Sequence, residues 1–158
     1  VFEVLCEILH PSYEKKFKTQ EDIVKYLGRN FSENFTVSQS TISRCINSPN
    51  FIKDDDGYYA ISDFYYMYRY RNILKDVLSL TKYGVCKEEG EPVSFILYTE
   101  KKNDVLIEEL FKKSFDFETI VLIRRHYGSI DILFNEDKLS EDDREFLDSI
   151  CEEESEEE

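Results

Sequence analysis

Glycine is scarce in this 158-residue chain, with five in all, and no glycine-rich segment opens a helix to cradle a phosphate. A G-x-S-x-G turn is missing, and His10 and His126 stand in no constellation with a carboxylate. Adjacent acidic pairs such as Glu108-Glu109 and Asp142-Asp143 point to different sides of a helix and are expected to be solvated. Neither catalysis nor a cofactor is expected. The four cysteines, Cys6, Cys45, Cys86 and Cys151, are widely separated and form no C-x-x-C pair. That spacing predicts no metal site and reduced, cytosolic thiols. No apolar run approaches the roughly 18 residues that span a bilayer, and no basic segment leads into an apolar one at the N-terminus. The expectation is a cytoplasmic protein without membrane attachment.

Positive charge is also in deficit: 20 Lys+Arg face 34 Asp+Glu, a formal charge of −14. The deficit is not uniform. Residues 1–75 carry ten basic and ten acidic side chains, so the whole excess falls on residues 76–158. This asymmetry predicts two small parts with different partners. It excludes a polyelectrolyte that coats nucleic acid along its whole length, and leaves room for a local DNA-reading face. With 41% apolar and 15% aromatic residues the chain can build a core. Only the acidic run 152–158 is expected to be disordered.

In the first part, Phe2, Val4 or Leu5, Ile8 and Leu9 recur at helical spacing, and Pro11 ends that helix. Thr19 is the expected N-cap of a second helix, with Asp22 three residues on, Ile23, Val24 and Leu27 as its buried stripe, and Gly28 as its end. Ser38 caps a third helix that Ser48-Pro49 closes. Ile42, Cys45 and Ile46 form its apolar face. Gln39, Ser40, Ser43, Arg44 and Asn47 form the opposite one, all of them hydrogen-bond donors and none a carboxylate. Thr41 adds a further hydroxyl. Then Phe51-Ile52-Lys53 and Tyr58-Tyr59-Ala60-Ile61 flank Asp54-Asp55-Asp56-Gly57, the pattern of a β-hairpin. Three helices and a two-stranded wing predict a winged helix-turn-helix over residues 1–65 whose third helix enters the major groove. Gln and Arg have the geometry to read adenine and guanine edges. A polar helix face is otherwise simply a solvated one, and three aspartates at the wing tip oppose phosphate contact.

Val37-Ser38-Gln39-Ser40-Thr41-Ile42-Ser43-Arg44 resembles the V-T-Q-A-T-I-S-R recognition helix of bacterial arginine repressors. Thr19-Gln20-Glu21-Asp22-Ile23 resembles the T-Q-E-E-L that opens their second helix, and the spacing between the two blocks also fits. The resemblance implies a transcriptional regulator that binds a double-stranded DNA operator and self-associates as a trimer or hexamer.

The second part begins with an amphipathic stretch, 66–80, read as a linking helix, with Tyr65, Tyr66, Tyr68 and Tyr70 equally readable as packing aromatics at the end of the wing. After the turn Glu89-Gly90-Glu91-Pro92 come a strand at 93–99, a helix capped by Asn103 or Asp104, strands at 119–123 and 130–134 around Tyr127-Gly128, and a helix capped by Ser140. Residues 81–151 are therefore expected to form a small α/β domain whose sheet is covered by helices on one face. A β-β-α-β-β-α order is what the family's oligomerisation domain implies. In the family this domain binds L-arginine between subunits. Here Thr99 is kept, but Leu122-Ile123-Arg124-Arg125-His126-Tyr127-Gly128-Ser129 stands where the family has G-T-I-A-G-D-D-T. Two arginines replace the paired acids, and like charge disfavours an arginine ligand. Three readings of Arg124-Arg125 stay open: a solvated or salt-bridged turn, an arginine standing in for the ligand at a subunit interface, or a pocket for an anionic effector. His126 is expected at the surface or an interface.

The expected function is sequence-specific DNA binding by an oligomeric regulator, with Gln39, Ser40, Thr41, Ser43, Arg44 and Asn47 at the DNA and Thr99, Arg124, Arg125 and His126 at the effector or subunit interface. The alternative is an interaction protein that forms mixed oligomers with a paralogous repressor or occupies another protein's DNA-binding surface.

Overall fold

The computed structural model describes residues 1–31 and 37–154, in two compact units, Val1–Tyr65 and Tyr66–Glu158. Among the described residues the chain is mixed α/β, with six α-helices and two antiparallel sheets.

The first unit runs α1 (Phe2–Ile8), α2 (Gln20–Asn30), α3 (Gln39–Ile46), β1 (Phe51–Lys53) and β2 (Tyr59–Ile61). Thr19 caps α2 as its sequence predicts: its Oγ1 accepts from the Asp22 amide at 3.1 Å and donates to the Asp22 carboxylate at 2.7 Å. Gly28 does not end α2. The helix continues through it to Asn30 and closes where the Phe31 amide donates to Leu27 O. Gly28 has no positive φ, and without that left-handed turn a glycine is no stop signal. Leu5, Ile8, Leu9, Phe17, Ile23, Leu27, Ile42, Ile46, Phe51 and Ile61 are buried and form this unit's core. The hairpin pairs Phe51 with Ile61 and Lys53 with Tyr59. Its turn needs Gly57, at φ +78°, and uses Asp54 as a brace, since Asp54 Oδ1 accepts from the amides of Asp56 and Tyr58.

Helix α4 (Asp63–Ser79) leads into the second unit, which continues β3 (Tyr83–Glu88), β4 (Val93–Thr99), α5 (Asp104–Ser114), β5 (Ile120–His126), β6 (Ser129–Phe134) and α6 (Glu141–Glu154). The sheet order is β3-β4-β6-β5, antiparallel throughout. Phe95, Leu97, Ile130, Ile132 and Phe134 form one face of the sheet, and Leu74 and Leu78 of α4, Ile107 and Phe111 of α5, and Leu147 and Ile150 of α6 join them in a single apolar cluster. All three helices thus serve the same face. The stretch read as a linking helix is part of this core. Cys151–Glu154 is helical, so the segment expected to be disordered begins inside α6; residues 155–158 lie outside the described residues.

Asp143 overturns one expectation. It is not solvated: it is buried, paired with the buried Arg71, and also closes a capping box by accepting from the Ser140 amide and hydroxyl. No helix among the described residues is long and apolar enough to cross a membrane.

Candidate nucleic-acid interface

Helix α3 is anchored on one side and open on the other. Ile42 and Ile46 are buried, and α3 packs directly against α2. Gln39, Ser40, Thr41, Arg44 and Asn47 are exposed, and Ser43 is half-buried. The donors differ in how free they are. Ser38, the N-cap, shares its hydroxyl with Ser40 at 2.8 Å and Thr41 at 3.0 Å. Asn47 donates to Ser43 Oγ at 3.5 Å. Among the described residues the Gln39 amide and the Arg44 guanidinium make no side-chain hydrogen bond or ion pair. These two groups are therefore available to an incoming partner without breaking an internal contact, whereas Ser40, Thr41, Ser43 and Asn47 must exchange one.

The four residues expected at an effector or subunit site are divided by the sheet. In register, Arg124 faces Asp131, Arg125 faces Ile130 and His126 faces Ser129. Ile130 is on the helix-covered side, and Arg125 reaches Glu108 of α5 there, at 3.7 Å. Glu108 also accepts from Lys112, a bond that, with help from Glu109, holds that ammonium above its ordinary pKa. Thr99 pairs with Tyr83, whose hydroxyl donates to Ile150 O of α6, which places Thr99 on the same side. Arg124 and His126 project to the opposite face, where His126 Nε2 lies 2.9 Å from Asp131 Oδ2. No single pocket gathers the four. Arg125 is salt-bridged but lies in strand β5 rather than in the expected turn, as does Arg124, which has no ion-pair partner among the described residues.

Among the described residues that opposite face carries no helix of the unit. Antiparallel sheets with one solvated face present alternating polar residues there. This one presents Ile96, Tyr98, Leu122 and Leu133 between Ser94, Arg124, His126 and Asp131. Tyr98 and Leu122 are exposed, as is Val121 in the bulge between Ile120 and Leu122. Tyr98, Val121 and Leu122 thus place exposed apolar area on the open face.

Two features escaped the sequence. Arg71 donates from Nε to Ser114 O at 2.9 Å and from Nη1 to Asp142 O, and lies 5.0 Å from the rings of Phe115 and Phe146. Its signal was its place with Leu74 and Leu78 on one helical face. At the start of α5, the buried atoms Thr99 Oγ1, Asn103 Nδ2 and Asp104 Oδ1 have no hydrogen-bond partner among the described residues. Among those residues no group of three His, Cys, Asp or Glu side chains is placed to hold a metal ion. Neither protein-family models nor curated proteins match this chain.

Proposed function

We propose that this chain is a sequence-specific DNA-binding transcriptional regulator of the arginine-repressor type, acting as an oligomer in the cytoplasm. The first unit is then a winged helix-turn-helix with α3 as its recognition helix and the β1–β2 hairpin as its wing. The observation that carries the reading is α3 itself: a helix fixed by Ile42 and Ile46 that turns a polar face without a carboxylate, with free Gln39 and Arg44, toward solvent. A solvated face needs no such composition in a chain that is 34% charged. The second unit would assemble subunits through its open sheet face, so that several recognition helices engage one operator. The test is a titration of the full chain with a duplex that it enriches from a random-sequence pool, with Arg44→Ala alongside.

Free L-arginine is not part of this reading, because Arg124 and Arg125 replace the acids that the family resemblance implies for it. Millimolar L-arginine should leave the melting midpoint of the protein unchanged. A clear rise would place arginine back among its ligands.

The exposed Asp55 and Asp56 at the hairpin tip favour a second reading, in which the protein joins mixed oligomers or covers a basic DNA-binding surface of another protein. Under that reading Arg44→Ala would leave the partner's binding untouched.

A further inference from the structure

The tip of the hairpin is acidic, but its root is basic. Three lysine ammonium groups sit over aromatic rings there: Lys15 is 4.6 Å from the ring centre of Tyr26, Lys18 is 4.5 Å from Tyr58, and Lys53 is 4.8 Å from Tyr59. The three belong to one strip. The Tyr59 amide donates to Phe17 O at 2.8 Å, so the segment at Phe17 and Lys18 runs alongside β2. Lys53 is the cross-strand partner of Tyr59, and its Nζ donates to Lys18 O at 3.1 Å. Phe17, between Lys15 and Lys18, is buried and fixes the segment to the core.

Charge pairing divides the lysines, and among the described residues Lys75, Lys82 and Lys113 of the second unit are unpaired as well. Lys25, Lys87, Lys102, Lys112 and Lys138 each have a carboxylate partner. Among the described residues Lys15, Lys16, Lys18 and Lys53 have none, in a chain with a formal charge of −14. A ring face orients an ammonium without neutralising it. The strip therefore presents exposed, oriented and uncompensated positive charge. Asp54 braces the turn and keeps its charge, so Asp54, Asp55 and Asp56 are the charges that a polyanion would meet at the tip.

We infer that Lys15, Lys16, Lys18 and Lys53 form a strip that binds the phosphate backbone of duplex DNA. The inference rests on the DNA reading above and deepens it: backbone contact falls at the root of the wing, and the acidic tip is held off the phosphates. Lysine contacts of this kind position a protein and add affinity without reading sequence.

The test uses the full chain, the enriched duplex and a scrambled duplex of equal length, titrated across a salt series. Lys18→Gln/Lys53→Gln should weaken binding to both duplexes roughly tenfold and reduce the slope of log K against log salt by about two, with the ratio between duplexes unchanged. Lys18→Arg/Lys53→Arg should retain the wild-type slope, and Asp55→Asn/Asp56→Asn should tighten both complexes. All four positions are exposed, so the circular dichroism spectra should match that of the wild type. Wild-type binding with an unchanged slope in the Gln variant overturns this inference alone. So does a loss confined to phosphatidylglycerol vesicles, which would make the strip a lipid contact. Failure of the wild type to bind any duplex overturns it together with the reading that it rests on.

Discussion

Arg71→Met should destabilise the second unit by about 3–5 kcal/mol, the cost of leaving one member of a buried ion pair without its partner. Arg71 and Asp143 are both nearly inaccessible, and the guanidinium holds three places at once: the C-terminal carbonyl of α5, the first turn of α6 and the two phenylalanine rings between them. Methionine fills much of the volume but leaves Ser114 O and the Asp143 carboxylate short of a donor. Adding Asp143→Asn should recover part of the loss, because the amide oxygen can still accept from Ser140 while the stranded charge is gone. Urea denaturation followed by circular dichroism reads both variants. A cost below about 1 kcal/mol for Arg71→Met would mean that the pair is replaceable by solvent.

The second large effect concerns the proposed assembly through the open sheet face. Tyr98→Lys/Leu122→Glu places charge on the open sheet face at two positions that are already solvent-exposed, so the unit should keep its fold. In solution the mass should fall to the 18.8 kDa of one chain. Binding to an operator with several half-sites should weaken by roughly 10² or more, since joined modules gain affinity through effective concentration. Light scattering and DNA titration on the same samples separate the two consequences. An unchanged oligomer would move the association surface elsewhere.

Much of the first unit was legible because short-range signals fix its ends. Thr19 and Ser38 are N-caps with their hydrogen bonds in place, and Asp54 and Gly57 make the hairpin turn. Gly28 misled because a glycine stops a helix only when it takes the left-handed turn. In the second unit the apolar alternation of β4 and β6 was plain, but β3 is an edge strand, Tyr-Gly-Val-Cys-Lys-Glu, without a buried residue to mark it. The candidate effector residues were harder still. Whether Arg124 or Arg125 faces the helices depends on strand register, and a one-residue bulge at Val121 changes which side every later residue of β5 takes. Sequence spacing cannot locate a bulge. The Arg71–Asp143 pair joins residues 72 apart, and only the tertiary fold brings them together.

The lysine strip changes the meaning of the charge asymmetry. The neutral first part is not uniformly neutral: Asp54, Asp55 and Asp56 sit at the hairpin tip, and Lys15, Lys16, Lys18 and Lys53 form the strip proposed at its root. Under the proposed DNA reading, a protein of low net charge can then still make ordered backbone contacts, with α3 as the proposed reader of sequence.

The most direct measurement is binding of the full chain to its enriched duplex and to a scrambled one, across a salt series, for wild type and Arg44→Ala. The wild type should bind both with a steep salt slope and prefer the enriched duplex. Arg44→Ala should lose about 1–3 kcal/mol of that preference. No binding by the wild-type oligomer at low salt, or a preference that survives Arg44→Ala together with Gln39→Ala, would contradict α3 as the reader of DNA.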